Sequence, residues 1–143
     1  MQPAFASLIA TVVEAEVDAQ GEVHLRRVTS AVDTGIAVNP DTVKAQIEGG
    51  LIFGLTAALY GEVTIDKGRV QQSNFHDYRM LRIDQTPKIE VHVIKSGEAP
   101  GGIGETGVTA GPPALRNAIY AATGVALRRL PIDRSLIALE KKA

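Results

Sequence analysis

NPDTVKAQIEGGLIFGLTAALY, residues 39–60, is the stretch that decides the architecture. Asn39 is placed to accept a hydrogen bond from a first-turn N–H. Pro40 suits the first helical position, where its missing donor would be unpaired in any case. Val43, Ile47, Leu51 and Leu55 then recur at three-to-four-residue spacing, which predicts a helix over residues 40–60. From Ile47 to Leu59 the segment is apolar on nearly every side, so this helix is expected to be mostly buried. Gly49, Gly50 and Gly54 lie inside it. Each costs roughly 1 kcal/mol against Ala, so each is expected to permit close approach of another backbone or a ligand.

On the N-terminal side, residues 6–17 alternate loosely and are rich in Ala, Val and Ile, which predicts a strand. Residues 18–21 read as a turn with Gly21 at φ > 0, and the alternation of residues 22–32 completes an antiparallel hairpin. On the C-terminal side, residues 62–65 and 69–71 flank a turn at 66–68 and predict a second hairpin. Residues 73–85 have no clean period. Ile89, Val91 and Val93 mark one face of a further strand. Residues 97–111 hold six glycines and read as loop, after which Pro112-Pro113 opens a helix through Ala122 that Gly124 ends. Leu130-Pro131 is a break, and Asp133 caps a short final helix over 134–140. The expectation is a single α+β domain over residues 1–143, with antiparallel strands packed against a long buried helix and two shorter C-terminal helices.

Composition narrows the function. The 143 residues are 45% hydrophobic and 22% charged, with a net charge of −1, so no basic field is available to drive nucleic-acid binding. The absence of cysteine removes disulfides, zinc–thiolate sites, iron–sulfur ligation and a cysteine nucleophile within this chain. A chain without thiols suits the cytoplasm and the periplasm alike, so localisation stays open. No apolar run approaches the roughly 18–20 residues of a spanning helix.

The glycine-rich loop around Glu105 is the most informative candidate site. Glycines let the backbone approach a bulky partner, and a helix start downstream adds N–H donors. One carboxylate held there could act as a general base. The same pattern also describes a surface loop with an incidental glutamate. It is not a phosphate-binding P-loop, since Gly104 is followed by Glu105 and not by Lys-Ser/Thr. His24 and His92 alternate with apolar residues on strands and read as surface positions. His76 is placed to contact Asp77 and order its loop. Asp33 reads as a turn residue, Arg79 as solvent-facing, and Arg116, Arg128, Arg129 and Arg134 as a solvated or subunit-facing surface.

The string Gly101-Gly102-Ile103-Gly104-Glu105-Thr106-Gly107, followed by residues 113–124 (PALRNAIYAATG), resembles the C-terminal end of the large subunit of molybdenum hydroxylases. This is the xanthine dehydrogenase and aldehyde oxidase family, and the nearest branch is the isoquinoline 1-oxidoreductase β-subunit type. Residues 31–35 (AVDTG), 38–43 (VNPDTV), 45–50 (AQIEGG), 52–55 (IFGL) and 72–78 (QSNFHDY) agree in the same order. The likeness runs from about residue 7 to Pro131. The chain departs from it at Thr106 and Thr109-Ala110, where this branch often has prolines, and at Arg79, where a proline is common.

The resemblance implies an oxidoreductase that hydroxylates an aldehyde or N-heteroaromatic carbon with water as oxygen source. It implies a molybdenum–molybdopterin cofactor whose electrons leave through an iron–sulfur subunit. It assigns Glu105 as the base that deprotonates the Mo–OH ligand. It places Gln46 as a hydrogen-bonding contact to the pterin, with Gly49, Gly50 and Gly104 at the cofactor. Family large subunits are several times longer than this chain. A piece of this size is therefore expected to be a fragment, a split-gene subunit or a remnant, inactive alone and completed by the remaining large-subunit segments. The rival expectation is a non-catalytic interaction fragment. In either case the apolar 40–60 helix predicts self-association into a homo-oligomer when the chain is isolated.

Overall fold

The computed structural model describes residues 1–140, with side chains through Ala138. Strands β1 (Gln2–Ala4), β2 (Ser7–Val17) and β3 (Val23–Asp33) precede helix α1 (Pro40–Tyr60). A small ribbon of β4 (Ile65–Asp66) and β5 (Arg69–Val70) follows, then β6 (Lys88–Val93) and helices α2 (Thr106–Thr123) and α3 (Arg134–Glu140). The main sheet has the order β1-β2-β3-β6.

The first hairpin forms where the alternation places it. β2 and β3 pair antiparallel from Leu8↔Asp33 to Val17↔Val23, with a register shift between Glu14 and Ala15. Gly21 takes φ 82, and the Asp18 carboxylate accepts from the N–H groups of Gln20 and Glu22, which closes the turn. β6 joins the far side of β3 in parallel, from Arg27↔Lys88 to Val32↔Val93. Alternation alone does not distinguish the two pairing directions. The intervening α1 supplies the crossover that a parallel partner requires. β1, unread in the sequence, is a three-residue edge strand turned onto β2 through Phe5 and Ala6, both at positive φ (55 and 62). Non-glycine residues rarely hold that conformation.

Both long helices pack on one face of the sheet. Ile9, Val13, Val28 and Val32 meet Ile47, Leu51 and Leu55 of α1 and Leu115 and Ile119 of α2 in one core. Val125, Leu127, Ile132 and Ile137 extend it beneath α3. Asn39 caps α1 as its sequence predicts, accepting from Asp41 N and Thr42 N. On the outer side of α1, Gln46, Glu48, Gly49, Phe53 and Ala57 are exposed.

The start of α2 corrects the expected loop. Residues 106–111 are helical, and Pro112 and Pro113 lie inside the helix, not at its beginning. Weak formers such as Gly107 and Gly111 are held there by packing against α1. A Cβ on Gly107 would stand 2.7 Å from Ile47 O, and one on Gly54 would stand 2.6 Å from Val108 O. Pro112 cannot donate to Val108 O, and this freed carbonyl lies against Gly54. Only glycines at the crossing let the two backbones come this close.

Candidate functional site

The candidate site is the N-terminal end of α2. Glu105 occupies the N-cap position, yet its side chain makes no capping bond and is exposed. Its carbonyl accepts from Val108 N at 3.0 Å. The contrast with α1 is chemical: the Asn39 side chain is consumed by its own helix, whereas the Glu105 carboxylate is left uncommitted. Beside it, a Cβ on Gly104 would meet nothing.

The first turn of α2 lies across α1 at Ile47–Leu51, since a Cβ on Gly107 would also approach Leu51 N (3.1 Å) and Gly50 Cα (3.2 Å). Gln46, one residue before Ile47, is exposed at this level of α1. The first turn of α2, which follows Glu105, thus lies at the level of α1 that carries Gln46, Gly49 and Gly50. The two glycines of α1 differ. Gly49 opens onto empty space, whereas the close approach at Gly50 is to Gly107 and Val108 of α2.

The backbone leading to Glu105 is fixed by three bonds. Ile36 N donates to Glu98 O (3.0 Å), Gly101 N to Thr34 O (3.0 Å) and Gly102 N to Phe5 O (2.7 Å). Ser7, Thr34 and Thr106, all buried, add hydroxyls at this junction. Thr34 and Thr106 fall inside the strings AVDTG and GGIGETG, but nothing local marks them, or Ser7, as partners of one another, and only tertiary contact does.

The other candidates fall elsewhere. Asp33 is a turn residue: its carboxylate accepts from Ser96 Oγ (2.7 Å) and Gly35 N (2.9 Å), which holds its pKa below the ordinary value. Asp77 braces its loop by accepting from the N–H groups of Asn74 and Ser73, which lower its pKa to about 2. His76 stands 3.6 Å from Asp77 and is exposed, as are His24 and His92. Arg79 is exposed with its guanidinium 4.0 Å over the Tyr60 ring. Of the four arginines expected at a solvated or subunit-facing surface, two are half-buried and make contacts within the chain. Arg116 Nε donates to Leu127 O (2.7 Å), and Arg134 pairs with Glu22. Buried carbonyls and tight turns need donors that only long side chains reach. Among the described residues, no group of three or more His, Asp or Glu is placed to hold a metal ion, and no helix is long and apolar enough to cross a membrane.

Residues 2–87 match the family model of a molybdopterin cofactor-binding domain, which includes Gln46, Gly49 and Gly50. The chain is 43% identical to isoquinoline 1-oxidoreductase subunit beta of Brevundimonas diminuta, over 85% of this chain and 16% of that protein. It is 40% identical to a membrane-bound aldehyde dehydrogenase of Gluconacetobacter polyoxogenes, named for pyrroloquinoline quinone, over 78% of this chain and 14% of that one. The solved aldehyde oxidoreductase of Desulfovibrio gigas superposes with a TM-score of 0.83 at 26% identity, covering 96% of this chain and 16% of that chain. The chain spans about a sixth or less of the length of these relatives.

Proposed function

Because this chain belongs to the molybdopterin cofactor-binding domain family, we propose that it forms one wall of a molybdenum–molybdopterin site. The enzyme so built hydroxylates a small aldehyde or an N-heteroaromatic carbon, with water supplying the oxygen. The observation that carries this reading is the free, exposed carboxylate of Glu105 at the N-cap of a helix whose approach is rigidly bonded.

The residues present suit one side of such a cofactor. Gly104 and Gly49 leave open space where a side chain would stand. Gln46 offers an exposed amide able both to donate and to accept. When bound, the molybdenum–molybdopterin group supplies a two-electron oxidant, and the electrons leave through an iron–sulfur subunit. Glu105 takes up, at a carboxylate oxygen, the proton that the attacking water-derived nucleophile loses as the C–O bond forms. Gln46 hydrogen-bonds the organic part of the cofactor. Gly50 acts indirectly, by setting how closely α2 approaches.

The remaining large-subunit segments enclose the opposite wall and the substrate channel, so the isolated chain is inactive. Val38, Phe53, Phe75 and Ile83 are large apolar residues left exposed here, and the isolated chain self-associates through such surface. A monomeric sedimentation profile at high concentration would refute that part.

The test is assembly of the chain with its other segments, followed by metal analysis and a dye-linked assay with an aldehyde and an N-heterocycle. Glu105→Gln should cut turnover by orders of magnitude while leaving molybdenum content unchanged. An active assembly indifferent to the substitution removes Glu105 as the base. An active assembly without molybdenum removes the cofactor assignment in favour of a quinone.

A further inference from the structure

Resting on the reading of Glu105 as the base, we infer that Ser7 and Thr34 are positioning residues. They lock the Gly101–Gly102 peptide, and through it the N-terminus of α2, where Glu105 can serve the reaction.

The junction is built of hydroxyls. Thr34 Oγ1 donates to Gly101 O at 3.0 Å. Ser7 Oγ lies 2.8 Å from Gly102 O and 3.1 Å from Thr34 Oγ1. Thr106 Oγ1 reaches the same Gly102 O at 3.2 Å. One carbonyl therefore receives a hydroxyl from β2 and a hydroxyl from the first residue of α2. It lies three positions before Glu105.

The N–H groups of Gly101 and Gly102 are held by Thr34 O and Phe5 O, and the hydroxyls hold the carbonyl side of the same two residues. Ser7, Thr34 and Thr106 are 1%, 4% and 0% exposed, so each hydroxyl needs a partner inside the protein. The acceptors are carbonyls of the two glycines that lead into the site, not of a neighbouring core strand. The glycines themselves are obligatory. A Cβ on Gly101 would lie 2.5 Å from Ser7 Oγ and 2.6 Å from Ala6 O, and one on Gly102 would lie 2.9 Å from Phe5 Cβ. The left-handed Phe5–Ala6 turn is what presses that backbone against the loop. The segment is thus clamped as far as Gly102, and beyond it Gly104 and Glu105 are open.

Thr34→Val keeps the shape at position 34 and removes the hydroxyl, and Thr34→Ser restores it. Ser7→Ala is the second variant, should Thr34→Val fold poorly. Amide exchange of Gly101 and Gly102 in the chain is the readout independent of activity. Thr34→Val and Ser7→Ala should speed it by about tenfold, the size of one lost hydrogen bond, with α1 amides unchanged and Thr34→Ser close to wild type. In the assembled enzyme the same variants should lower kcat with KM little changed, and Thr34→Ser should recover most of the rate.

Unchanged exchange at Gly101 and Gly102 overturns the clamp. Faster exchange with unchanged kcat, while Glu105→Gln is inactive, overturns the positioning role and leaves the base standing. If Glu105→Gln is itself fully active, the base reading falls and the positioning role falls with it, whatever the exchange shows.

Discussion

The glycines at the α1–α2 crossing and those at the tip of the site do opposite work. At Gly50, Gly54 and Gly107 a single methyl would stand 2.6–3.1 Å from the neighbouring backbone, so these residues exist to be filled against. At Gly49 and Gly104 a methyl would meet nothing within 4 Å among the described residues. Gly49 and Gly50 are adjacent in sequence and point to different fates. One closes the protein on itself and the other leaves it open. The lesson is that glycine content marks the region of a site without saying which glycines belong to it.

The largest expected effect tests the open end. In the assembled enzyme, Glu105→Gln should lower kcat by about 10²–10⁴-fold, the usual contribution of a positioned base. It should leave the thermal stability of the chain unchanged, since the Glu105 side chain makes no capping bond.

The closed end comes next. Gly54→Ala forces a methyl against Val108 O and should destabilise the chain by about 1–3 kcal/mol in urea, as overpacking does. That figure is net of the intrinsic helix gain of Ala, about 1 kcal/mol, because the atom met at 2.6 Å is a backbone oxygen that cannot turn aside. A neutral result would mean that the crossing is looser than the geometry states.

Gly49→Ala sharpens the comparison. The chain should gain about 0.4–1 kcal/mol, because the site is helical and unobstructed. Assembled turnover should nevertheless fall if the open space receives the cofactor. A loss of stability in the isolated chain would erase the distinction between Gly49 and Gly50.

The smallest effect concerns the Asp77 loop, which depends on charge where the crossing depends on shape. The lowered pKa of Asp77 means its brace is fully present above the ordinary value of 3.8 and is lost as pH falls through about 2. Titration of the Asp77 carboxyl carbon should show a midpoint near 2. Contacts at the Gly54–Val108 crossing should not change over that range. A midpoint near 3.8 would mean that the Ser73 and Asn74 amides do not hold the carboxylate.

Much of this was readable locally. Asn39-Pro40 starts α1, Gly21 closes the first hairpin and Gly124, at φ 80, ends α2. Each is a capping or turn effect decided within a few residues. The candidate site was readable as a motif: Glu105 in its glycine run and Gln46 on its helix. What holds the motif was not. Ser7 and Thr34 are 27 residues apart and reach carbonyls 95 and 67 residues from themselves. No periodicity encodes such a meeting.

By its own pattern, then, the chain specified an α+β domain, the ends of α1, the hairpin of β2 and β3, and a carboxylate set among glycines. These depend on hydrogen bonds and apolar spacing within single elements. The tertiary structure alone decided that β6 runs parallel to β3 and that residues 106–111 are helix. It also decided that Gly50 is packing while Gly49 is opening. In each case the deciding force is contact between segments far apart in the chain, and it overrides the weak local preference of the residues concerned.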